Sequence, residues 1–253
     1  MPRFFVEASA VSGNTVRLTG KNAHHAAYSL RLAPGDRIQV CDQTNAYLCE
    51  MVSFDSESAT ARILSATPVD TEPPFVARLF QALPKGDKLD TVIQKAVECG
   101  VSEVTPFESS RCIVRAKPEA EARKTERRAR IAEEAAKQCG RGIIPTVHPT
   151  VTYAQALAAA ESADLWLFCY EGDCTTPLPA AMEAARPHLA SITAEGRVPE
   201  IAIFVGSEGG FSPEEAAAAR DAGALLIGLG PRILRTETAS GFVLACLIYA
   251  LEL

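Results

Sequence analysis

The chain has 253 residues and a formal net charge of −6, with 47% hydrophobic and 22% charged residues. That balance fits an ordinary globular protein and excludes a disordered chain, a collagen-like repeat and a disulfide-dense miniprotein. The longest apolar run, Gly241 to Leu251, is far short of the ~18–20 residues a membrane span needs, and Glu7 interrupts the start before a signal-peptide core could form. The expectation is a soluble, cytoplasmic protein.

Residues 1 to about 66 read as β structure. Thr15–Leu18, Asp36–Val40, Tyr47–Val52 and Ala59–Leu64 are short, partly alternating runs, separated by turn chemistry at Ser12-Gly13-Asn14 and Ala33-Pro34-Gly35-Asp36. A small barrel or sandwich is expected. Thr67–Pro74 holds three prolines in eight residues and reads as a linker.

Beyond it, strands and helices alternate. Val76–Phe80 is a strand, and the helix after Asp87 puts Leu89, Val92, Ile93, Ala96 and Val97 on one face before Gly100 stops it. Further strands are expected at Glu103–Pro106, Leu165–Phe168, Ile201–Val205 and Ala224–Leu229. The all-apolar runs among them imply a mostly parallel sheet covered on both faces. A long helix from about Pro118 to Cys139 should bury Ile131, Ala132, Ala135, Ala136 and Cys139.

Eight cysteines, none in C-x-x-C spacing, read as buried free thiols in a reducing compartment. Four histidines form no zinc-type cluster, and His24-His25, read as strand neighbours, would point to opposite faces, so no metal site is expected. Charge is uneven: Arg111 to Arg141 is +5 and the remainder −11. A local basic surface on an acidic protein suits a selective polyanion site. A solvated helix with i,i+4 pairs such as Glu119–Arg123 and Glu126–Arg130 accounts for the same charges equally well.

Two stretches carry chemistry. Val205-Gly206-Ser207-Glu208-Gly209-Gly210-Phe211-Ser212-Pro213-Glu214-Glu215 leaves a buried strand and enters a helix through a capping box, Ser212 with Glu215, and a proline at the first helical position. Its glycines let backbone amides approach a ligand closely. It is neither a dinucleotide fingerprint, nor a P-loop, nor a nucleophile elbow. The second stretch, Leu229-Gly230-Pro231-Arg232-Ile233-Leu234-Arg235-Thr236-Glu237-Thr238-Ala239, is again a strand end, a loop and a helix start, with Thr236 able to cap and Glu237 suited to the helix dipole.

Together these stretches resemble the signature loops of SPOUT-class RNA methyltransferases, most closely the ribosomal RNA small subunit methyltransferase E family, which methylates N3 of a uridine in 16S rRNA. Lys85-Gly86-Asp87-Lys88-Leu89, Ile93 to Val101, Thr105-Pro106 and Ala136-Lys137-Gln138-Cys139-Gly140-Arg141 with Pro145 are similar too. His24-His25 and Leu30 to Asp36 resemble its PUA-like RNA-binding domain. Ser207, Gly142 and Tyr28-Ser29 depart from the family's usual proline, asparagine and hydrophobic pair.

The resemblance implies an α/β fold class, with a PUA-like β-barrel over residues 1–70 and a SPOUT-type trefoil-knot α/β methyltransferase domain over 75–253. It implies S-adenosylmethionine as cofactor, held by Gly206, Ser207, Glu208, Gly209, Gly210, Leu229, Gly230, Ile233, Leu234, Thr236, Thr238 and Ala239. It also implies a homodimer acting on 16S rRNA, without metal or membrane. Arg235 and Arg232 are expected to stabilise the uracil anion, while Glu208 or Glu237 takes the proton or orients an arginine. Arg111, Arg123, Arg127 and Arg141 are expected to hold RNA phosphates. The alternatives are a SPOUT enzyme with another RNA target and a non-catalytic ribosome-assembly factor.

Overall fold

Alternating side chains build the first of two units in this computed structural model, which describes residues 1–252. That unit comprises Met1–Glu72 with Ala136–Ile144; the second comprises Pro73–Ala135 with the chain from Pro145 onward. The first contains β1 (Arg3–Phe5), β2 (Val11–Ser12), β3 (Thr15–Thr19), α1 (Gly20–His24), β4 (Arg37–Cys41), β5 (Asn45–Phe54) and β6 (Ser58–Pro68). The strands form one sheet in the order β1-β4-β5-β6-β3-β2. In β3, Val16 and Leu18 are buried while Thr15, Arg17 and Thr19 are exposed, which is the period-two pattern of a half-buried strand. These two pack with Phe4, Ile38, Val40, Cys49, Met51 and Ala61.

Two expectations for this unit are corrected. His24 and His25 lie not on a strand but on α1 and the π-helical turn His25–Ser29 that continues it. The proline-rich linker is anchored rather than loose. β6 runs on to Pro68, Val69 N–H donates to Thr44 O at 2.9 Å, and the Thr71 hydroxyl accepts from Gly142 N at 2.9 Å.

Segment Ala136–Ile144 belongs to this unit although 63 residues of the other precede it, a return that the sequence pattern does not signal. Arg3 grips the Gly140 carbonyl and donates to the Arg141 carbonyl at 2.6 Å. A Cβ on Gly142 would come 2.2 Å from Val69 Cγ1. The Val69 side chain thus occupies the space that a larger residue at this position would need.

The second unit contains β7 (Val76–Ala82), α2 (Lys88–Glu98), β8 (Glu103–Glu108), α3 (Pro118–Cys139), β9 (Thr146–Val147), β10 (Val151–Thr152), α4 (Tyr153–Ala160), β11 (Leu165–Cys169), β12 (Thr176–Pro177), α5 (Leu178–Ala194), β13 (Glu200–Val205), α6 (Pro213–Asp221), β14 (Leu225–Gly228) and α7 (Thr236–Leu251). Its sheet runs β10-β8-β7-β13-β11-β14-β12, with β9 beside β8, and its pairings are parallel. Ile201 to Val205 of β13 are all buried, as a strand covered on both faces requires. On α3, Ala132, Ala135 and Ala136 are buried as expected, but Ile131 is only half-buried and Cys139 is exposed. Cys174 is exposed as well, so the cysteines are free but not uniformly buried. Among the described residues no group of His, Cys, Asp and Glu could hold a metal ion, and no helix is long and apolar enough to cross a membrane.

Candidate active site

Ligands of parallel α/β sheets bind beyond the carboxyl ends of the strands. In the second unit the ends of β13 and β11, with the loop before α7, surround a cavity of about 580 Å³. Val205 to Phe211 form one wall. Leu229, Ile233, Leu234, Arg235, Thr236 and Ala239 form another, and Cys169 to Gly172 a third. Lys88 and Arg111 complete the lining.

The Gly206–Phe211 loop is fixed from several sides. Ser212 accepts from Glu215 N–H and Glu215 accepts from Ser212 N–H, so the expected capping box is present. Glu215 also accepts from Ser110 N–H at 2.6 Å, which ties the Arg111 segment to the loop, and Arg111 Nη1 donates to Gly209 O at 3.0 Å. A Cβ on Gly206 would come 3.0 Å from Gly210 Cα, and one on Gly209 3.1 Å from Arg111 Cβ. Gly210 holds φ +62, a left-handed conformation that favours glycine.

Beneath the loop lies a buried polar network that pattern reading missed. Gln81, fully buried, donates to Thr236 Oγ1 at 2.9 Å and to Gly206 O at 3.3 Å, and accepts from the Ser240 hydroxyl at 2.6 Å. Thr236 does not cap α7. Arg235 holds the N-cap position, and the Thr236 hydroxyl donates instead to Gly206 O at 2.6 Å. The two glycine-bearing loops thus share one hydrogen-bonded floor.

Lys88, also missed, organises the acids. Its Nζ lies 2.7 Å from Glu208 Oε1 and 3.9 Å from Glu237 Oε2. Glu208 also accepts from Lys85 N–H at 3.1 Å. Burial works to raise the Glu208 carboxyl, but the Lys88 ammonium and the backbone N–H groups outweigh it and hold it below its usual value. Burial pushes the Cys169 thiol up to about 12, so it is no nucleophile at neutral pH.

Comparison with known proteins decides the family. The RNA methyltransferase domain model matches residues 71–248 and the RNA methyltransferase PUA domain model matches residues 18–64. Ribosomal RNA small subunit methyltransferase E of Bacillus subtilis is 31% identical over 257 aligned residues, covering 100% of this chain and 98% of that protein. The chain belongs to the ribosomal RNA small subunit methyltransferase E family. A structure of that enzyme from Neisseria gonorrhoeae bound to S-adenosylmethionine superimposes with a TM-score of 0.79 at 30% identity, covering 98% of this chain and 97% of that one. A Legionella pneumophila structure in complex with the same cofactor gives 0.81 at 28% identity, over 98% and 97% of the two chains. The fold class implied by the resemblance therefore stands: a SPOUT-type α/β domain with a PUA-like N-terminal domain.

Within this family frame, ten of the twelve expected cofactor residues line the cavity; Gly230 and Thr238 do not. Glu208 and Arg235 line it, whereas Arg232 is exposed outside the lining and Glu237 stands behind Lys88. Of the expected RNA-binding arginines, Arg111 lies on the cavity wall and Arg123 is exposed. Arg127 is paired with Asp90 through its two terminal guanidinium nitrogens, Nη2 at 2.9 Å. Arg141 is corrected: in the first unit it is buried and paired with Glu72, its Nε 3.0 Å from the carboxylate, so it presents no free cation to a phosphate.

Proposed function

We propose that this chain methylates N3 of a uridine in 16S rRNA, within the small ribosomal subunit. Family membership makes it an S-adenosylmethionine-dependent methyltransferase acting on ribosomal RNA. The observation that carries the finer reading is the convergence of Lys88, Arg111 and Arg235 on the wall of the glycine-lined cavity. Uridine N3 becomes a nucleophile only after losing its proton, and the charge then spreads over O2 and O4.

The residues present fit the cofactor. Gly206 and Gly209 leave little room for a side chain, so the loop offers backbone amides and carbonyls to a ligand, and about 580 Å³ lies within the ordinary range for small-molecule sites. When bound, S-adenosylmethionine supplies an electrophilic methyl group. Arg235 and Arg111 hold the uracil oxygens as negative charge develops. Glu208 is committed to Lys88 and the Lys85 amide, and Glu237 lies 3.9 Å from Lys88 Nζ, so both glutamates position that lysine. The N3 proton passes to solvent, its loss favoured by the surrounding cations.

The trefoil knot, the homodimer and the cytoplasmic location belong to this reading, as does the assignment of residues 1–70 to holding RNA and 75–253 to methyl transfer. α7 supports the dimer: it is apolar nearly all round, as buried helices are, yet Phe242 and Tyr249 are 40% and 78% exposed. Phe242→Asp combined with Tyr249→Asp should yield a monomer by light scattering; an unchanged mass removes α7 from the interface.

Radiolabelled methyl transfer to small subunits lacking the modification, followed by mass spectrometry of the nucleosides, tests the function. The expected product is 3-methyluridine. Label in another nucleoside overturns the uridine N3 assignment.

A further inference from the structure

A second cavity, of about 490 Å³, opens within the first unit, far along the chain from the glycine loops. It lies between β3, α1 with its π-helical continuation, and the turn joining β5 to β6. Arg17, His24, Tyr28, Asp55 and Glu57 supply its chemistry.

The helical face turned to this cavity is unusual for its composition. Ala23 and Ala26 point into the core, while His24 and Tyr28 remain exposed, with Tyr28 at 67%. Their rings lie 4.8 Å apart at 36°, forming a joined aromatic surface with no core to cover it. Arg17 is fixed beside it, its Nε donating to Ser58 Oγ at 3.2 Å. The Ser58 hydroxyl in turn donates to Asp55 Oδ2 at 2.6 Å, and Asp55 Oδ1 accepts from the Glu57 and Ser58 N–H groups at 2.9 and 2.6 Å. Asp55 is thus consumed in shaping its own turn. Glu57 is not, and it is exposed at the cavity.

Bare aromatic rings next to a guanidinium are the usual platform for unstacked nucleotides. A carboxylate is an acceptor only, so it meets the N–H edge of a base and repels a phosphate. Guanine alone among the common bases offers two adjacent N–H donors on one edge, the match for a single carboxylate. We propose that this cavity captures one unpaired guanosine of the RNA. Its base stacks on Tyr28 beside His24, its N1–H and amino group bond Glu57, and its phosphate lies against Arg17. The proposal rests on the chain acting on RNA and locates a contact remote from the methylated base.

The test uses the full-length protein and fluorescein-labelled pentauridine with guanosine or uridine at its centre, read by anisotropy at fixed salt. The guanosine probe should bind several-fold tighter than the uridine probe. Tyr28→Ala should weaken it about tenfold, the range that stacking platforms show on truncation, and Tyr28→Phe should restore it. Glu57→Gln should erase the preference for guanosine over uridine. Unaltered binding in Tyr28→Ala overturns the proposal, and so does a Tyr28→Phe variant as weak as the alanine one. If Tyr28→Ala weakens association with assembled small subunits but not with the pentamers, the occupant is a protein and the proposal fails. Calorimetry of S-adenosylmethionine binding on the same variants should show no change. Loss of methyl transfer in the wild type with these RNA effects intact would sink the function above and not this site.

Discussion

The two loops that wall the glycine-lined cavity differ in how firmly they are held. Gly206–Phe211 is fastened by Gln81, Thr236, Arg111 and its own Gly210 N–H to Ser207 O bond at 2.9 Å. Of Leu229 to Arg235, five of seven residues are exposed, Ile233 to 84%. One wall is a cradle formed before any ligand arrives; the other has most of its surface still to bury. Preformed backbone gives affinity without an ordering cost, whereas an open loop can close around a substrate and exclude water. Binding should therefore depend on the first loop and chemistry on the second.

Arg235→Ala, in the open loop, carries the largest expected effect. Removing one hydrogen-bond donor to a developing oxyanion costs about 10²–10³ in rate. The single-turnover rate on small subunits should fall by that factor while calorimetric cofactor affinity stays within about threefold of wild type. Equal losses in both would erase the division between the loops.

Gly206→Val attacks the fastened wall. The new side chain meets the Gly210 backbone, which cannot swing away as a side-chain tip could. Overpacking of this kind costs about 1–3 kcal/mol, and here it should appear as weaker S-adenosylmethionine binding. Retained affinity would mean that the backbone at Gly206 does not touch the ligand.

How much of this was legible in the sequence follows from the range of each interaction. The capping box Ser212–Glu215, the helix over Pro118–Cys139 and the parallel strands are local patterns, and they were readable. Strands β1 and β2, of three and two residues, are too short to show alternation. Lys88 meets Glu208 across 120 residues of chain, and Gln81 meets Ser240 across 159, so no spacing rule could join them. Arg141 misled for the same reason. Within its basic run it reads as a phosphate ligand, but Glu72, 69 residues earlier, neutralises it inside the first unit. The resemblance picked out two distant loops that meet at one cavity, which periodicity could not, and it did so better than for the cations.

Gln81→Leu sharpens the contrast from below. It removes one acceptor of the Ser240 hydroxyl, which keeps the Thr236 carbonyl at 3.0 Å, and one donor to the Gly206 carbonyl, which keeps the Thr236 hydroxyl at 2.6 Å. A lost intramolecular hydrogen bond costs about 0.5–1.5 kcal/mol, so the urea midpoint should drop by a corresponding amount. Arg232→Ala, in the open loop, should stay within about 0.5 kcal/mol of wild type. A Gln81→Leu variant as stable as wild type would mean that the floor contributes position but no stability.

The Lys88–Glu208 contact gives the smallest effect on stability and decides the fate of the proton. Its side chains are 33% and 29% exposed, so solvent screens the pair and it contributes under about 1 kcal/mol. The Glu208 carboxyl is held below its ordinary 4.5, so the contribution is complete above that value and is lost as pH falls through the lower folded one. Glu208→Gln should therefore unfold slightly earlier than wild type at pH 7, with the difference vanishing in acid. The same low carboxyl makes Glu208 a poor acceptor for a uridine proton. If solvent takes that proton, the single-turnover rate must climb with pH through neutrality, and Glu208→Gln must climb in parallel with wild type. A carboxylate base would instead give a rate already flat well below pH 7.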